Sequence, residues 1–337
     1  DLNDTFFNSL KEDYPGFDAW FEKKSKDNSE AYVQYTNDNL QAFLYLKNES
    51  GEALTDITPI RPACNRLKVG TFKIDAHNTK LGERFVKKIL DTALDMKAEE
   101  IYVTIYPKHE GLIRILQRYG FNEEGKKGEE LVLVKNMKIL TGDILKDFPL
   151  LTTKDKRKFL LSIYPKYHTK MFPDSILRNE ESKKYELVKD VSYTNSIHKV
   201  YLCFMSDTAK LQRGDIIAIY RTKDDKGSAR YRSVITSICQ IEEVKTNKDF
   251  ATVEDFLAYT NFYSIFDSEE LKQWYQQKNC YILKMTYNIA LTKRVTNGYL
   301  VDNLNMSPKY WGFFQLTDEQ FDAILKKGEV DEGVIID

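Results

Sequence analysis

Residues 67–121 limit the folds open to this chain more than any other stretch. They read as an apolar strand, a short polar loop, a long amphipathic helix, a second apolar strand and a second helix. Strand 67–75 carries Leu67, Val69, Phe72 and Ile74, and helix 80–97 sets Leu81, Phe85, Ile89 and Ala93 on one face. Strand 100–106 is EIYVTIY, and helix 109–119 stops at Gly120, a natural C-terminal cap. A helix that begins just beyond a strand presents free backbone N–H groups and the positive end of its dipole. Such a helix start suits a phosphate or pyrophosphate, so this segment is expected to hold a phosphorylated cofactor.

The neighbouring segments complete a domain around it. Residues 4–27 read as helix, interrupted at Pro15-Gly16, with an apolar stripe of Phe6, Phe7, Leu10, Phe17, Trp20 and Phe21. Residues 31–47 read as a hairpin turning at Asn37-Asp38-Asn39, residues that tolerate left-handed backbone angles. An irregular connection fills 48–66, and ELVLVK at 130–135 closes the sheet. Residues 137–195 are charged, carry Pro165 and Pro173, and are expected to form a basic connector with a short helix. From 196 to 316 the pattern changes to short β-like runs, KVYLCFM, DIIAIYRT, YRSVITSICQIEEV and NCYILKMTYNIAL, with turn signals between them, Asn297-Gly298 among these. Two helical pieces intervene near 252–264 and 267–278, and a helix capped by Thr317 follows at 317–326. Residues 327–337 are expected to be a frayed acidic tail. The expected class is α+β: a mixed sheet with flanking helices, then a small β-barrel with attached helices.

A length of 337 residues favours two or more domains. No apolar run approaches a membrane span and the mean hydropathy is −0.50, so a soluble, cytoplasmic protein without a membrane partner is expected. The first residues lack the basic start and apolar core of a secretory leader. The chain opens at Asp1, which leaves room for an upstream nuclease-like domain or partner protein. Cys64, Cys203, Cys239 and Cys280 are far apart and share no metal-ligand spacing with the four histidines, so reduced thiols and no metal are expected. The net charge of −1 conceals an asymmetry. Residues 136–316 carry 28 Lys+Arg against 21 Asp+Glu, whereas residues 1–135 carry 20 against 23. The surplus hints at a polyanionic partner for the second part, against the plainer reading of solvated charge.

The order helix, hairpin, strand, loop–helix, strand, helix ending in YGF at Phe121, final strand resembles the GNAT N-acetyltransferase fold. LKVGTFKID and the helix start KLGERFVKKIL carry the likeness over roughly residues 1–136. The resemblance implies acetyl-CoA, or another acyl-CoA, lying between two parted parallel strands. Its pantetheine arm would meet the backbone of Phe72, Lys73 and Ile74. The loop Thr79, Lys80, Leu81, Gly82, Glu83 and Arg84 would cradle the pyrophosphate, with Lys80 or Arg84 adding charge. The sequence departs from the family at two places. Lys80 stands where the loop usually has its middle glycine, with His77 at the loop's first position. Leu116 stands where many members place a tyrosine acid. Tyr106 and Tyr119 are the nearby candidates for that acid, and Asp75 or Glu49 for a base; the plainer readings are core or rim tyrosines, and a Gly82 that serves helix packing.

KLQRGDIIAIYRT and the β-rich run after it resemble PUA-related barrels of the ASCH and EVE type, over roughly residues 196–316, without the GxKxxExR signature of the ASCH group. That group includes modules that bind RNA or modified bases. Tyr220-Arg221-Thr222, Arg230-Tyr231-Arg232 and Lys309-Tyr310-Trp311 set cations beside aromatics, a pairing that can stack a base and neutralise phosphate. In a strand, Tyr231 would face away from Arg230 and Arg232, and the plainer reading makes Tyr231 and Trp311 core. Together the resemblances imply an N-acetyltransferase coupled to an RNA- or DNA-binding domain, a combination similar to prokaryotic fusions with toxin–antitoxin contexts. The alternative is a non-catalytic GNAT-like scaffold joined to an RNA or modified-base reader.

Overall fold

The computed structural model describes residues 2–75, 80–172, 175, 196–261 and 263–337 and divides into two units, Asp1–Met137 and Lys138–Asp337. Among the described residues no helix is long and apolar enough to cross a membrane.

In the first unit a 3-10 turn leads into α1 (Asn8–Asp13), the chain breaks at Tyr14-Pro15-Gly16, and α2 (Phe17–Lys26) follows. Phe6, Phe7 and Phe17 pack on Leu40, Phe43 and Tyr45, with Trp20 and Phe21 at the margin, so the expected apolar stripe seats these helices on the sheet. β1 (Tyr32–Thr36) and β2 (Asn39–Asn48) form the expected hairpin, and Asn37 and Asp38 at its tip hold φ of 49° and 62°. Then come β3 (Arg66–Ile74), α3 (Leu81–Asp95), β4 (Glu100–Ile105), α4 (Glu110–Arg118), β5 (Asn122–Lys127) and β6 (Glu130–Asn136). The sheet order is β1-β2-β3-β4-β6-β5, with β3 and β4 its parallel pair.

That parallel pair is incomplete. It runs through Arg66–Glu100, Leu67–Ile101, Lys68–Tyr102 and Val69–Val103, and then stops. On the other side of β3, Leu46 pairs with Val69 while Tyr45 pairs with Thr71, so Gly70 is an extra residue in the ladder. A bulge of this kind adds twist and bends its strand. β3 therefore turns from β4 at the residue after their last pair. Gly70 is suited to the place because a β-carbon there would come within 2.8 Å of the Tyr45 ring.

Among its described residues the second unit holds six strands: β7 (Lys158–Ile163), β8 (His198–Cys203), β9 (Ile216–Arg221), β10 (Val234–Thr246), β11 (Tyr281–Thr296) and β12 (Phe313–Leu316). Their order is β12-β7-β9-β10-β11-β8, and β7 runs parallel to β9. Three register shifts bend the long β10–β11 ribbon around a core that includes Leu161, Ile219, Ile241, Met285 and Phe256. Among the described residues β12 and β8 remain edges of the sheet, so the expected barrel is an open, bent one. Helices Val253–Thr260 and Ser268–Tyr275 fall where the sequence places them, and Thr317 caps the helix Asp318–Lys327 through a capping box with Gln320.

Four expectations need correction. The stretch expected as a connector supplies β7, whose run KFLLSI is almost wholly buried between β9 and β12; residues 173, 174 and 176–195 of that stretch, Pro173 among them, lie outside the described residues. The acidic tail is anchored: Val334 is buried, and the Asp337 side chain accepts from the Thr152 and Thr153 hydroxyls at 2.7 and 2.6 Å. Tyr231 lies on a short helix, Ala229–Arg232, capped by Ser228, instead of on a strand, and its side chain is 72% exposed instead of core. Asn297-Gly298 opens a helix, Asn297–Leu304, capped by Thr296, where a turn between strands was expected.

Candidate functional site

The parting of β3 and β4 opens a cleft of about 920 Å³ in the first unit. Its walls are β3 from Val69 to Asp75, β4 from Val103 to Tyr106, the start of α4, and the α1–α2 corner from Ser9 to Trp20. Among the described residues, β3 from Gly70 on has a ladder partner on its β2 side alone, and β4 beyond Val103 pairs only with β6. Two strand edges thus face the cleft, and a strand edge takes up an extended ligand through its backbone groups.

The closed end of the wedge is held by charge. Arg66 is buried and its Nε donates to Glu100, the residue opposite it in the register. Arg61 adds a second bridge to Glu100 through Nη2 at 2.5 Å and reaches Glu124 through Nη1 at 2.7 Å. Burial alone would raise the Glu100 carboxyl, but Arg61 and Arg66 hold it below its ordinary value. Glu49, one expected base, sits outside the cleft walls: its carboxylate accepts from buried Tyr102 and pairs with Lys47.

The open end carries a cluster of polar and aromatic side chains. Tyr106 stands at the end of β4 and its ring lies 5.4 Å from that of Tyr14. The Tyr14 hydroxyl donates to Glu130 at 2.8 Å, and burial followed by that carboxylate pushes the phenol well above its ordinary range. His109 is the N-cap residue of α4, and its Nε2 meets Asp13 Oδ2 at 2.9 Å. Lys108 bridges to the same carboxylate. Burial opposes ionisation of Asp13, yet Lys108 and His109 keep its carboxyl below the usual value. Asp13, Tyr14 and His109 all line the cleft, and none was singled out from sequence. The break at Pro15-Gly16 was legible, but the side-chain pairing Asp13–His109 spans 96 residues and left no local signal.

The expected site residues divide by position. Lys73, Ile74, Asp75 and Tyr106 line the cleft. Asp75 is an exposed rim group, 3.3 Å from Lys73, whose ammonium also donates to Ser9 Oγ at 2.8 Å. Phe72 reaches the cleft wall while its buried ring stacks on Phe85 of α3, so its backbone is what β3 offers there. Tyr119 does not reach the cleft: it is fully buried and its hydroxyl is on Glu83, itself buried in α3. Lys80 is the N-cap residue of α3, Leu81 is buried in its first turn, and Arg84 N–H donates to the Lys80 carbonyl at 3.2 Å. Gly82 serves helix packing, because a β-carbon there would meet Ile115 of α4 at 2.8 Å. His77 and Thr79 lie outside the described residues.

In the second unit the expected nucleic-acid groups do not form one surface. Arg221 is buried, and Tyr220 is buried with its ring stacked on Trp311 at 5.5 Å and its hydroxyl accepting from Asn297 at 3.0 Å. Thr222 lies beside β7, its N–H donating to the Ile163 carbonyl. Arg230 pairs with Asp302 and Arg232 with Asp224, so both arginines already face carboxylates. Lys309 is exposed and Trp311 is half-buried.

Sequence reasoning also missed a buried polar chain in this unit. Tyr287 Oη meets Ser175 Oγ at 2.8 Å, Ser175 meets Ser237 at 2.8 Å, Ser237 meets Thr236 at 3.1 Å, and Thr236 meets His168 Nε2 at 2.7 Å. Its members come from β10, β11 and residues 168–175, and only the sheet brings them together.

No protein-family model matches the chain, and no curated protein matches it. Solved structures of two kinds match, each over a different part of the chain. The ASCH protein of Zymomonas mobilis matches at 8% identity and a TM-score of 0.35, over 51% of this chain and 96% of that one. A PaiA N-acetyltransferase of Thermoplasma acidophilum in complex with coenzyme A matches at 13% identity and a TM-score of 0.27, over 38% of this chain and 74% of that one. A GNAT family acetyltransferase of Elizabethkingia anophelis with acetyl-CoA bound matches at 12% identity and a TM-score of 0.27, over 35% of this chain and 82% of that one.

Proposed function

We propose that the first unit is an acyl-CoA-dependent N-acetyltransferase and the second a nucleic-acid-binding unit that supplies its acceptor. One observation carries the catalytic half: β3 and β4 pair over four residues and part at the Gly70 bulge, leaving two strand edges on a cleft of about 920 Å³. The residues present fit the cofactor. The β3 edge from Gly70 to Ile74 suits the amide-bearing pantetheine arm, which would add as a short strand. The start of α3, with Lys80 and Arg84 beside it, suits the pyrophosphate. When bound, acyl-CoA supplies an acyl group activated as a thioester.

The chain's own groups do the rest. Asp13 fixes His109 through Nε2, which leaves Nδ1 as the atom that accepts a proton from the acceptor ammonium. Tyr106, which lines the cleft at the end of β4, would be the group to return a proton to the thiolate of the cofactor. Tyr14 stays protonated on Glu130 and braces the Tyr106 ring. Phe17, Trp20 and Leu112 exclude water from the cleft wall. Holding amine and thioester side by side supplies much of the acceleration.

Calorimetry with acetyl-CoA tests the reading. The wild-type chain should bind, and Gly70→Val, whose side chain would strike the Tyr45 ring and shift the β3 edge, should bind at least tenfold more weakly while still melting in one cooperative transition below the wild-type temperature. A wild-type chain that gives no heat at high micromolar cofactor would refute the transferase.

A further inference from the structure

The second unit exposes Tyr164 and, within the run Lys309-Tyr310-Trp311 noted above, Tyr310. β12 pairs with β7 through Phe313–Leu161, and the Ser162 N–H donates to the Gly312 carbonyl at 2.8 Å, so the two chains run on together toward Tyr164 and Tyr310. Those two side chains are 64% and 63% exposed. The Tyr310 ring lies against Gly312, where a β-carbon would come within 2.1 Å of it, so the glycine is what lets the ring rest on the backbone. Tyr167 packs on Phe266 with ring centroids 5.0 Å apart, and Lys166 Nζ stands 4.5 Å from the Tyr167 ring centre.

The charge here has one sign. Residues 158–172 contain Lys158, Lys166 and Lys170 and no acidic residue, and residues 304–312 contain Lys309 and no acidic residue. Lys158 is paired with Asp318, while Lys166, Lys170 and Lys309 are exposed. The nearby carboxylate that acts on Lys166 is Glu270, on the helix Ser268–Tyr275.

We propose that Tyr164 and Tyr310, flanked by Lys166 and Lys309, form a stacking site for a single-stranded polynucleotide. The proposal rests on the nucleic-acid half of the function given above and keeps, of the surface expected from sequence, only Lys309 and Tyr310. Exposed rings take the face of an unpaired base whatever its identity, and the ammonium groups beside them meet the phosphates. A duplex offers the phosphates without the base faces, which are covered by their neighbours.

Fluorescence anisotropy of labelled 12-residue oligouridine, oligothymidine and a 12-base-pair duplex, with the full chain in 50 and 200 mM salt, tests this. Tyr164→Ala and Tyr310→Ala should each weaken single-strand binding by about 5- to 100-fold. Tyr164→Phe and Tyr310→Phe should keep it, and Lys166→Ala with Lys309→Ala should flatten the salt dependence. Arg230→Ala should change nothing. Single-strand binding that survives both alanine variants would overturn this surface and leave the nucleic-acid reading standing. Duplex bound as tightly as single strands would overturn stacking. No binding of any oligomer at 50 mM salt would overturn both the surface and the reading. Oligouridine held more tightly than oligothymidine would support the site as one for RNA, and the reverse order would support it as one for DNA.

Discussion

At the scale of single residues, the candidate centre depends on what holds each group. His109 is useful because Asp13 fixes one of its nitrogens, and Asp13 is kept ionised by Lys108 and His109 against its burial. Replacing His109 with Gln keeps much of the shape and removes the ring nitrogen that would accept the proton. Steady-state kinetics of His109→Gln should show kcat lower by about 10²- to 10⁴-fold, as for loss of a general base, with cofactor affinity unchanged. An equal rise in KM for acetyl-CoA would instead assign His109 to binding. Tyr119→Phe gives the contrasting case. Its hydroxyl meets Glu83 away from the cleft, so this change should leave kcat alone and lower the melting temperature. The sequence offered Tyr106 and Tyr119 on equal terms, because both are tyrosines near the end of an element. Only burial separates them. Gly82 and Gly70 show the same limit: the loop pattern drew attention to Gly82, whose absent β-carbon makes room for Ile115, while Gly70, inside an apolar strand, sits at the bulge that opens the cleft.

At the scale of elements, the wedge between β3 and β4 is built from opposed features four residues apart. The Arg66–Glu100 bridge clamps the first register pair, and the Gly70 bulge ends the pairing after Val69. Removing the carboxylate would leave Arg66 buried with its main charged partner gone. Urea unfolding of Glu100→Ala should therefore show a loss of about 3–5 kcal/mol from the first unit. A loss under about 1 kcal/mol would mean that the clamp is solvated and weak. Elements with a clear period were legible in the sequence: β3, α3, β4 and α4 stand close to where the pattern puts them. β5 was not, because NEEGKK has no apolar alternation and serves as a charged outer strand, where charge guards the edge. β7 was hidden for a different reason. Its run KFLLSI lies between charged segments, and only pairing with β9 and β12, far away in sequence, makes it a strand. The helix Ala229–Arg232 escaped because YRS reads as β by residue type, whereas the Ser228 cap and the Arg232–Asp224 bridge decide its conformation.

At the scale of the whole molecule, buried ionisable groups should make the protein sensitive to acid in two stages. His168 is fully buried, and burial, then the positive charges of Arg221 and Arg294, hold its pKa well below 6.5. The folded second unit therefore keeps His168 neutral while the unfolded chain protonates it near pH 6.5. Between the two pKa values the unfolded state binds the extra proton. Stability is thus complete above pH 6.5 and declines as the pH falls below it, by at most about 1.4 kcal/mol per pH unit. A second stage follows lower down. Glu242 is held below its ordinary value against burial by His198 and Lys284, Glu243 likewise by Tyr259 and Lys245, and Asp224 is brought down to about 2 by Arg232. These carboxylates stabilise the fold above their unfolded values, and that contribution is lost as the pH falls through their folded ones. Melting temperatures measured from pH 8 to 4 separate the stages. His168→Gln can keep a hydrogen bond to Thr236 and has no proton to gain, so its melting temperature should stay level from pH 6.5 to 5.5, while that of the wild type falls. Both proteins should then fall together near pH 4. Parallel curves through the upper range would show that His168 gains solvent or a proton within the folded state, and that the polar chain from His168 to Tyr287 is more open than its burial implies.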